Sequence, residues 1–287
     1  MTAQPPAPSC VRHPTRPTGL ACTRCGRPAC PECLRPAAVG QHCVDCLRQE
    51  QRDVRPVRTV AGAQAGRAQP YVTYALIVIN VAVFAITAAQ AQSVVDNQTA
   101  ALFGRWVLFP PYVADGQWWR VIGSGFLHFG PIHLLLNMFA LYVIGRDTEL
   151  VLGRLRYLAV YLVSMLGGAA AVMVFSQDSA TAGASGAVYG LFGAITVILI
   201  RLRQNPNQML ILIAINVFIS FSLPGISLWG HLGGLAAGTL ATLGILFLPT
   251  WLRAKSQEAA RLIGWISVGV VALASCAMIG ATAMSLA

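Results

Sequence analysis

Seven stretches of this chain are apolar over most of their length: residues 71–89, 131–145, 155–175, 185–200, 209–221, 228–248 and 262–286. A helix needs about 20 mostly apolar residues to cross a bilayer, so the pattern predicts seven transmembrane helices. The second, fourth and fifth stretches are short for a full crossing. Short helices are expected where a bundle thins the bilayer or encloses a water-filled cavity. The connections alternate in charge. Arg146, Arg154 and Arg156 lie between stretches two and three, Arg201 and Arg203 follow stretch four, and Arg253, Lys255 and Arg261 separate stretches six and seven. Loops 176–184 and 222–227 carry no basic residue, and only Arg105 and Arg120 in the long first loop break the pattern. Basic residues collect on the cytoplasmic side, so the N-terminus is expected in the cytoplasm and the C-terminus outside.

Two polar residues stand where hydrocarbon is expected. Ser185 opens the fourth stretch within GASG, and His231 lies near the start of the sixth within LWGHLGG. A polar side chain inside a span is costly and marks a functional site by default. Both enter their helices from the outer side, so they are expected at matched depth, where a serine and a histidine form a nucleophile and its base. Gly186, Gly190 and Gly193 line one face of the fourth stretch, and Gly234 and Gly238 one face of the sixth, with Ser185 and His231 on or beside those faces. Small residues so spaced let helix backbones approach closely. By themselves they would mark packing only, but close approach is also what a short serine side chain needs to reach an imidazole. Tyr189, one turn below Ser185, can pack its ring on His231. Neither stretch contains an acidic residue, which favours a Ser–His dyad over a triad. In the second stretch, His133 and Asn137 lie at i and i+4 on one face. Both can donate to a developing oxyanion; Asn137 as interhelical glue, or a metal held by His128 and His133, are the alternatives.

Composition fits this picture. The chain of 287 residues is 56% hydrophobic and only 10% charged, against about 25% charged in soluble domains. The net charge of +10 is read as cytoplasmic-side basic residues rather than as a nucleic-acid surface, so no nucleic-acid partner is expected. The opening MTAQPPAPSCVRHPTRP has no apolar core of a secretory signal.

GxSG at 183–186, Tyr189, HxxGxxxG at 231–238, HxxxN at 133–137 and the Trp119–Arg120 pair together closely resemble the rhomboid intramembrane serine proteases over about residues 71–250. The resemblance implies Ser185 as nucleophile, His231 as general base, and His133, Asn137 and the Ser185 amide as oxyanion hole. It gives Tyr189, Gly183, Gly186, Gly234, Gly238, Trp119 and Arg120 supporting roles, the last two in a first loop partly embedded in the membrane. It also implies substrates that are single-span membrane proteins, cut near their outer ends. The seventh stretch, after the core, fits a six-plus-one arrangement.

The N-terminal part is a separate unit. Residues 1–70 hold ten of the nineteen arginines and seven of the eight cysteines. Cys10/His13, Cys22/Cys25, Cys30/Cys33 and Cys43/Cys46 are four pairs, each separated by two residues, enough ligands for two tetrahedral zinc sites. A disulfide framework fits poorly in a cytoplasmic head, and an iron–sulfur cluster is the other competitor. The spacing leaves sequential and crossed pairings open. Resemblance to a B-box-type zinc finger suggests the crossed one, with Cys10, His13, Cys30 and Cys33 on one ion and Cys22, Cys25, Cys43 and Cys46 on the other. His42 is a possible substitute ligand. Cys276 is expected as an apolar core residue of the last helix.

The expected fold is therefore an all-α polytopic membrane protein, with a six-helix rhomboid-like core, one further C-terminal helix and a small zinc-binding N-terminal domain. The expected divisions are a cysteine-rich double-zinc domain at 1–47, a flexible basic linker at 48–70, the core at 71–250, and a loop with the seventh helix at 251–287. Intramembrane serine proteolysis in a bacterial plasma membrane is the leading reading, with lipid, transmembrane substrates and a cytoplasmic protein partner of the head as the expected contacts, two structural zinc ions, and no cofactor for catalysis. The alternatives are a zinc-regulated scaffold that binds transmembrane helices without cutting them, which has no use for the Ser185 hydroxyl, and a solute transporter, which predicts an internal repeat that the sequence lacks.

Overall fold

The computed structural model describes residues 6–53, 59–62, 69–223 and 225–287. The chain forms two compact units, Met1–Val57 and Arg58–Ala287.

The first unit is built from two small antiparallel ribbons and one helix. Strands β1 (Ser9–Cys10) and β2 (His13–Pro17) pair with each other, as do β3 (Leu34–Pro36) and β4 (Gln41–Cys43), and helix α1 (Val44–Asp53) follows. Its buried core is mostly sulfur: Cys10, Cys22, Cys30, Cys33, Cys43 and Cys46 pack with only Ala29 and Leu34. So little apolar area cannot hold a domain of this size without a staple. The expected linker at 48–70 is shorter at its front, because residues 48–53 continue α1, where Arg48, Gln49, Glu50 and Gln51 are all good helix formers. Its residues 54–58 and 63–68 lie outside the described residues.

The second unit is mostly helical. Helix α2 (Tyr71–Ala91) leads into a long loop with three short helices, α3 (Ala101–Trp106), α4 (Pro110–Ala114) and α5 (Arg120–Gly123). Next come α6 (Gly130–Ala140), a π turn at Leu141–Gly145, α7 (Arg146–Leu152), α8 (Arg154–Phe175), α9 (Ser185–Arg201), α10 (Asn207–Ser222), α11 (Leu228–Leu246), the short α12 (Leu248–Trp251) and α13 (Gln257–Leu286). All seven apolar stretches are helical. Among the described residues, α2, α8 and α13 are long and apolar enough to cross a membrane, and the segment from Arg120 to Leu152, bent by 90°, adds a fourth when counted as one span. This is a mostly helical, multi-span membrane protein.

Stretch two runs seven residues further than its apolar pattern, through Arg146–Leu152. Glu149, 2% exposed, explains the extension. Its carboxylate accepts from the Val72 and Thr73 amides and the Thr73 hydroxyl at 3.1, 2.8 and 2.8 Å, so it caps the N-terminus of α2. Orphan amides and the positive dipole end both favour an anion there.

The centre of the bundle is α8, α9 and α11, drawn together by glycine. A Cβ added to Gly234 of α11 would lie 1.9 Å from the Gly186 carbonyl of α9, and one at Gly238 would lie 2.4 Å from that of Gly190. Gly233 likewise lies against the Gly167 carbonyl of α8. Any side chain at these crossings would separate the backbones. Cys276 is a correction to the expectation: it is exposed on α13, a peripheral helix whose apolar outer face needs only lipid as its neighbour.

Candidate active site

Ser185 is the first residue of α9, and His231 lies in the first turn of α11, so the glycine crossing brings the two together at one end of the bundle. His231 Nε2 is 2.8 Å from Ser185 Oγ, within the range for a nucleophile and its base. The imidazole is buried, 7% exposed. The Tyr189 ring stacks on it with centroids 4.0 Å apart and planes 13° from parallel.

The opposite ring nitrogen meets a residue that the sequence reading passed over. Ser220, near the end of α10, lies 2.7 Å from His231 Nδ1 and donates its hydroxyl proton to the Asn216 carbonyl at 2.7 Å. With that proton committed, Ser220 Oγ accepts from Nδ1–H, which leaves Nε2 unprotonated and facing Ser185. The Tyr189 hydroxyl, 3.0 Å from Ser220 Oγ, closes the network. In sequence Ser220 is one of two polar residues, with Asn216, in the fifth apolar stretch, a weak signal that does not name its partner.

His133 approaches from α6 over Gly183. A Cβ on Gly183 would fall 2.9 Å from His133 Nε2 and 3.4 Å from Ser185 Oγ, and the backbone there has φ +135. Only glycine serves both the conformation and the closeness. Asn137, 5% exposed, donates to the His133 carbonyl at 2.9 Å. His128 is fully buried and accepts a long 3.5 Å bond from the Ala184 amide. Asn97 holds the turn that carries both histidines, donating to the His128 carbonyl and accepting from the Gly130 amide, each at 2.9 Å.

In the loop before this turn, Trp119 is half exposed and donates to the Arg105 carbonyl. Arg120 is buried and donates to the carbonyls of Gly104 and Val107 and to Gln117. It clamps the loop from within. A cavity of about 30 Å³ touches Ser185, Gly183, Ser124 and Ser227, room enough for a water molecule among polar partners.

Comparison with known proteins bears on this arrangement. The rhomboid domain model matches residues 115–248. A Bacillus subtilis protein named for the same family, YdcA, is 37% identical over 134 residues, covering 45% of this chain and 67% of that protein. The chain belongs to the rhomboid family. Rhomboid protease GluP of Bacillus subtilis is 31% identical over 200 residues, 68% of this chain but 38% of GluP. Rhomboid-type serine protease 2 of Emericella nidulans is 35% identical over 153 residues, half of this chain and 30% of that protein. This rhomboid chain thus spans well under half the length of those two relatives.

The head of this rhomboid protein carries a second candidate site. Cys10, His13, Cys30 and Cys33 form one group and Cys22, Cys25, Cys43 and Cys46 another, with ligand atoms within 4.8 Å of one another in each. The grouping is the crossed one. A zinc tetrahedron with bonds of about 2.3 Å to sulfur and about 2.05 Å to nitrogen has edges of about 3.8 Å between sulfurs and about 3.6 Å between sulfur and nitrogen. Cys22–Cys46 and Cys25–Cys43 are 3.9 and 3.8 Å apart, and His13 Nδ1 lies 3.9, 3.3 and 3.5 Å from the sulfurs of Cys10, Cys30 and Cys33. These are the dimensions of a zinc-binding head. The Cys30 amide helps to hold the Cys10 thiol down to about 6, whereas burial pushes the Cys46 thiol up to about 12. A bound dication reverses the second effect, because a coordinating thiol is deprotonated outright. His42 stands outside both groups, with Nδ1 3.3 Å from the Glu50 carboxylate.

Proposed function

We propose that this rhomboid chain is an intramembrane serine endopeptidase, cutting single-span membrane proteins near the outer membrane face. The observation that carries the reading is the 2.8 Å bond between His231 Nε2 and Ser185 Oγ inside a multi-span bundle. In that reading Ser185 Oγ attacks the scissile carbonyl while His231 Nε2 takes its proton. Ser220 and Tyr189 hold the imidazole in the tautomer that makes Nε2 the base. His133, Asn137 and the Ser185 amide stabilise the oxyanion, where each donor is worth about 2.7–4 kcal/mol of barrier. His231 then passes the proton to the leaving amine, and a water, for which the cavity beside Ser185 has room, hydrolyses the ester with His231 again as base. Gly183, Gly186, Gly234 and Gly238 keep these groups at contact distance, and Trp119 and Arg120 brace the loop above them.

The alternation of basic and neutral loops supports seven crossings of a bacterial plasma membrane, with the N-terminus in the cytoplasm and Ser185 towards the outer face. Two structural zinc ions would hold the head, each replacing a hydrophobic core, and the head would meet a cytoplasmic protein. The test is cleavage of a transmembrane substrate by purified protein in vesicles. Ser185→Ala and His231→Ala should each abolish cleavage while leaving the protein folded. Proteolysis retained by purified Ser185→Ala refutes the mechanism.

A further inference from the structure

The end of the bundle remote from Ser185 holds a cavity of about 920 Å³, between residues 59–62, the start of α8, the ends of α9 and α11 and the start of α13. Helix α9 has 17 residues, about 25 Å, and the hydrocarbon core of a bilayer is about 30 Å thick. With Ser185 at one end of α9 and this cavity at the other, the cavity lies at the headgroup level of the opposite leaflet. Among the described residues its wall carries Arg154, Arg156, Arg201 and Arg261 but one acid, Glu258. Among the described residues the ion pairs lie elsewhere, and none involves these four arginines. Three of the arginines are held without being neutralised. Arg154 lies over the Tyr71 ring and Arg201 over the Phe247 ring, 4.9 and 5.7 Å from the centroids, and Arg156 donates to the Ala61 carbonyl.

Three held arginines and Arg261 around one space repel one another unless an anion joins them. The first turn of α13 adds its amides and positive dipole end at Gln257 and Glu258. Trp265 adds an indole of the kind that sits at lipid interfaces. The volume suits a small organic ligand, and the planar forks of arginine suit phosphate. Basic pockets between transmembrane helices bind anionic headgroups for these reasons. From this geometry we infer that the cavity binds a phosphate-bearing anion, in the bilayer the headgroup of an anionic phospholipid, tying together the ends of α8, α9, α11 and α13.

The experiment uses the full chain in nanodiscs of phosphatidylcholine with or without phosphatidylglycerol, and counts retained lipids by native mass spectrometry after gentle extraction. In parallel, glycerol 3-phosphate and inorganic phosphate are titrated into phosphatidylcholine discs while thermal unfolding is followed. Phosphatidylglycerol should be retained selectively. Each basic residue contributes about a five-fold factor in affinity, so Arg201→Gln with Arg261→Gln should weaken retention about thirty-fold, and Arg201→Lys with Arg261→Lys should preserve most of it. Saturable stabilisation by the soluble phosphates, lost in the same glutamine variant, supports the site with a free phosphate as its source. Equal retention of the two lipids with no response to soluble phosphate overturns the inference. So does an unchanged affinity in a glutamine variant that unfolds at the wild-type temperature, or a lysine variant, folded like the wild type, that loses binding as fully as the glutamine one.

Discussion

Gly234→Ala tests whether the glycine crossing sets the chemistry as well as the packing. The added methyl would lie 1.9 Å from the Gly186 carbonyl oxygen. Contacts below 3.0 Å essentially never occur, so α9 and α11 must part by at least about 1 Å at that level. The displaced backbone is next to Ser185 on one helix and three residues from His231 on the other. Their 2.8 Å bond would stretch beyond hydrogen-bond range, and a misplacement of about 1 Å costs about 10²-fold in rate. Overpacking should cost about 1–3 kcal/mol of stability in addition. Gly280→Ala is the control, since a Cβ there meets nothing within 4 Å; it should leave turnover unchanged and, as a mid-helix Gly→Ala change, not lower stability. The assay is turnover of a transmembrane substrate in vesicles, per folded molecule, beside thermal unfolding of the same preparation. A folded Gly234→Ala protein with turnover within a few-fold of the wild type would refute the claim that helix separation controls the pair.

Ser220→Ala should lower turnover about tenfold, the worth of one neutral hydrogen bond. Its pH–rate profile should shift, and Ser220→Thr should recover much of the loss, whereas a role in packing alone would move only the unfolding temperature. Glu149→Ala leaves the Val72 and Thr73 donors without their acceptor and should cost about 2–4 kcal/mol in unfolding experiments, with Glu149→Gln costing less. Elemental analysis of the full chain should find two zinc ions, and Cys46→Ser should bring the count close to one. A chelator should expose the head to protease, because metal binding and folding share one free energy; iron, or one ion or none in the unaltered chain, would contradict the two-tetrad assignment.

Where a residue conflicts with its local surroundings, the sequence announces it. Ser185 and His231 interrupt apolar runs, and the periods of the glycines place both on packing faces, so their meeting was legible without coordinates. The seven apolar stretches were legible for the same reason, with ends shifted by the charged caps that hydropathy ignores. What the sequence hid is long-range polar partnership. Glu149 reads as the start of a loop until Thr73, 76 residues away, is found beside it. Asn97 reads as a loop asparagine, yet it holds the turn of His128 and Gly130 across more than thirty residues. Ser220 looks like one of many serines tolerated in a span, and nothing local says that it faces an imidazole. In the head, ligand types and spacing were legible; the spacing left the pairing open, the B-box resemblance suggested the crossed grouping, and the fold brings those residues together.

The most direct test of the central claim is to label the folded chain in vesicles with a fluorophosphonate and map the adduct by mass spectrometry. A Ser185–His231 dyad gives one modified serine, Ser185, with labelling abolished in His231→Ala and strongly reduced when His231 is protonated at low pH. A protein that is folded and inserted but takes no label, or one labelled at another serine and unaffected by Ser185→Ala, would contradict it.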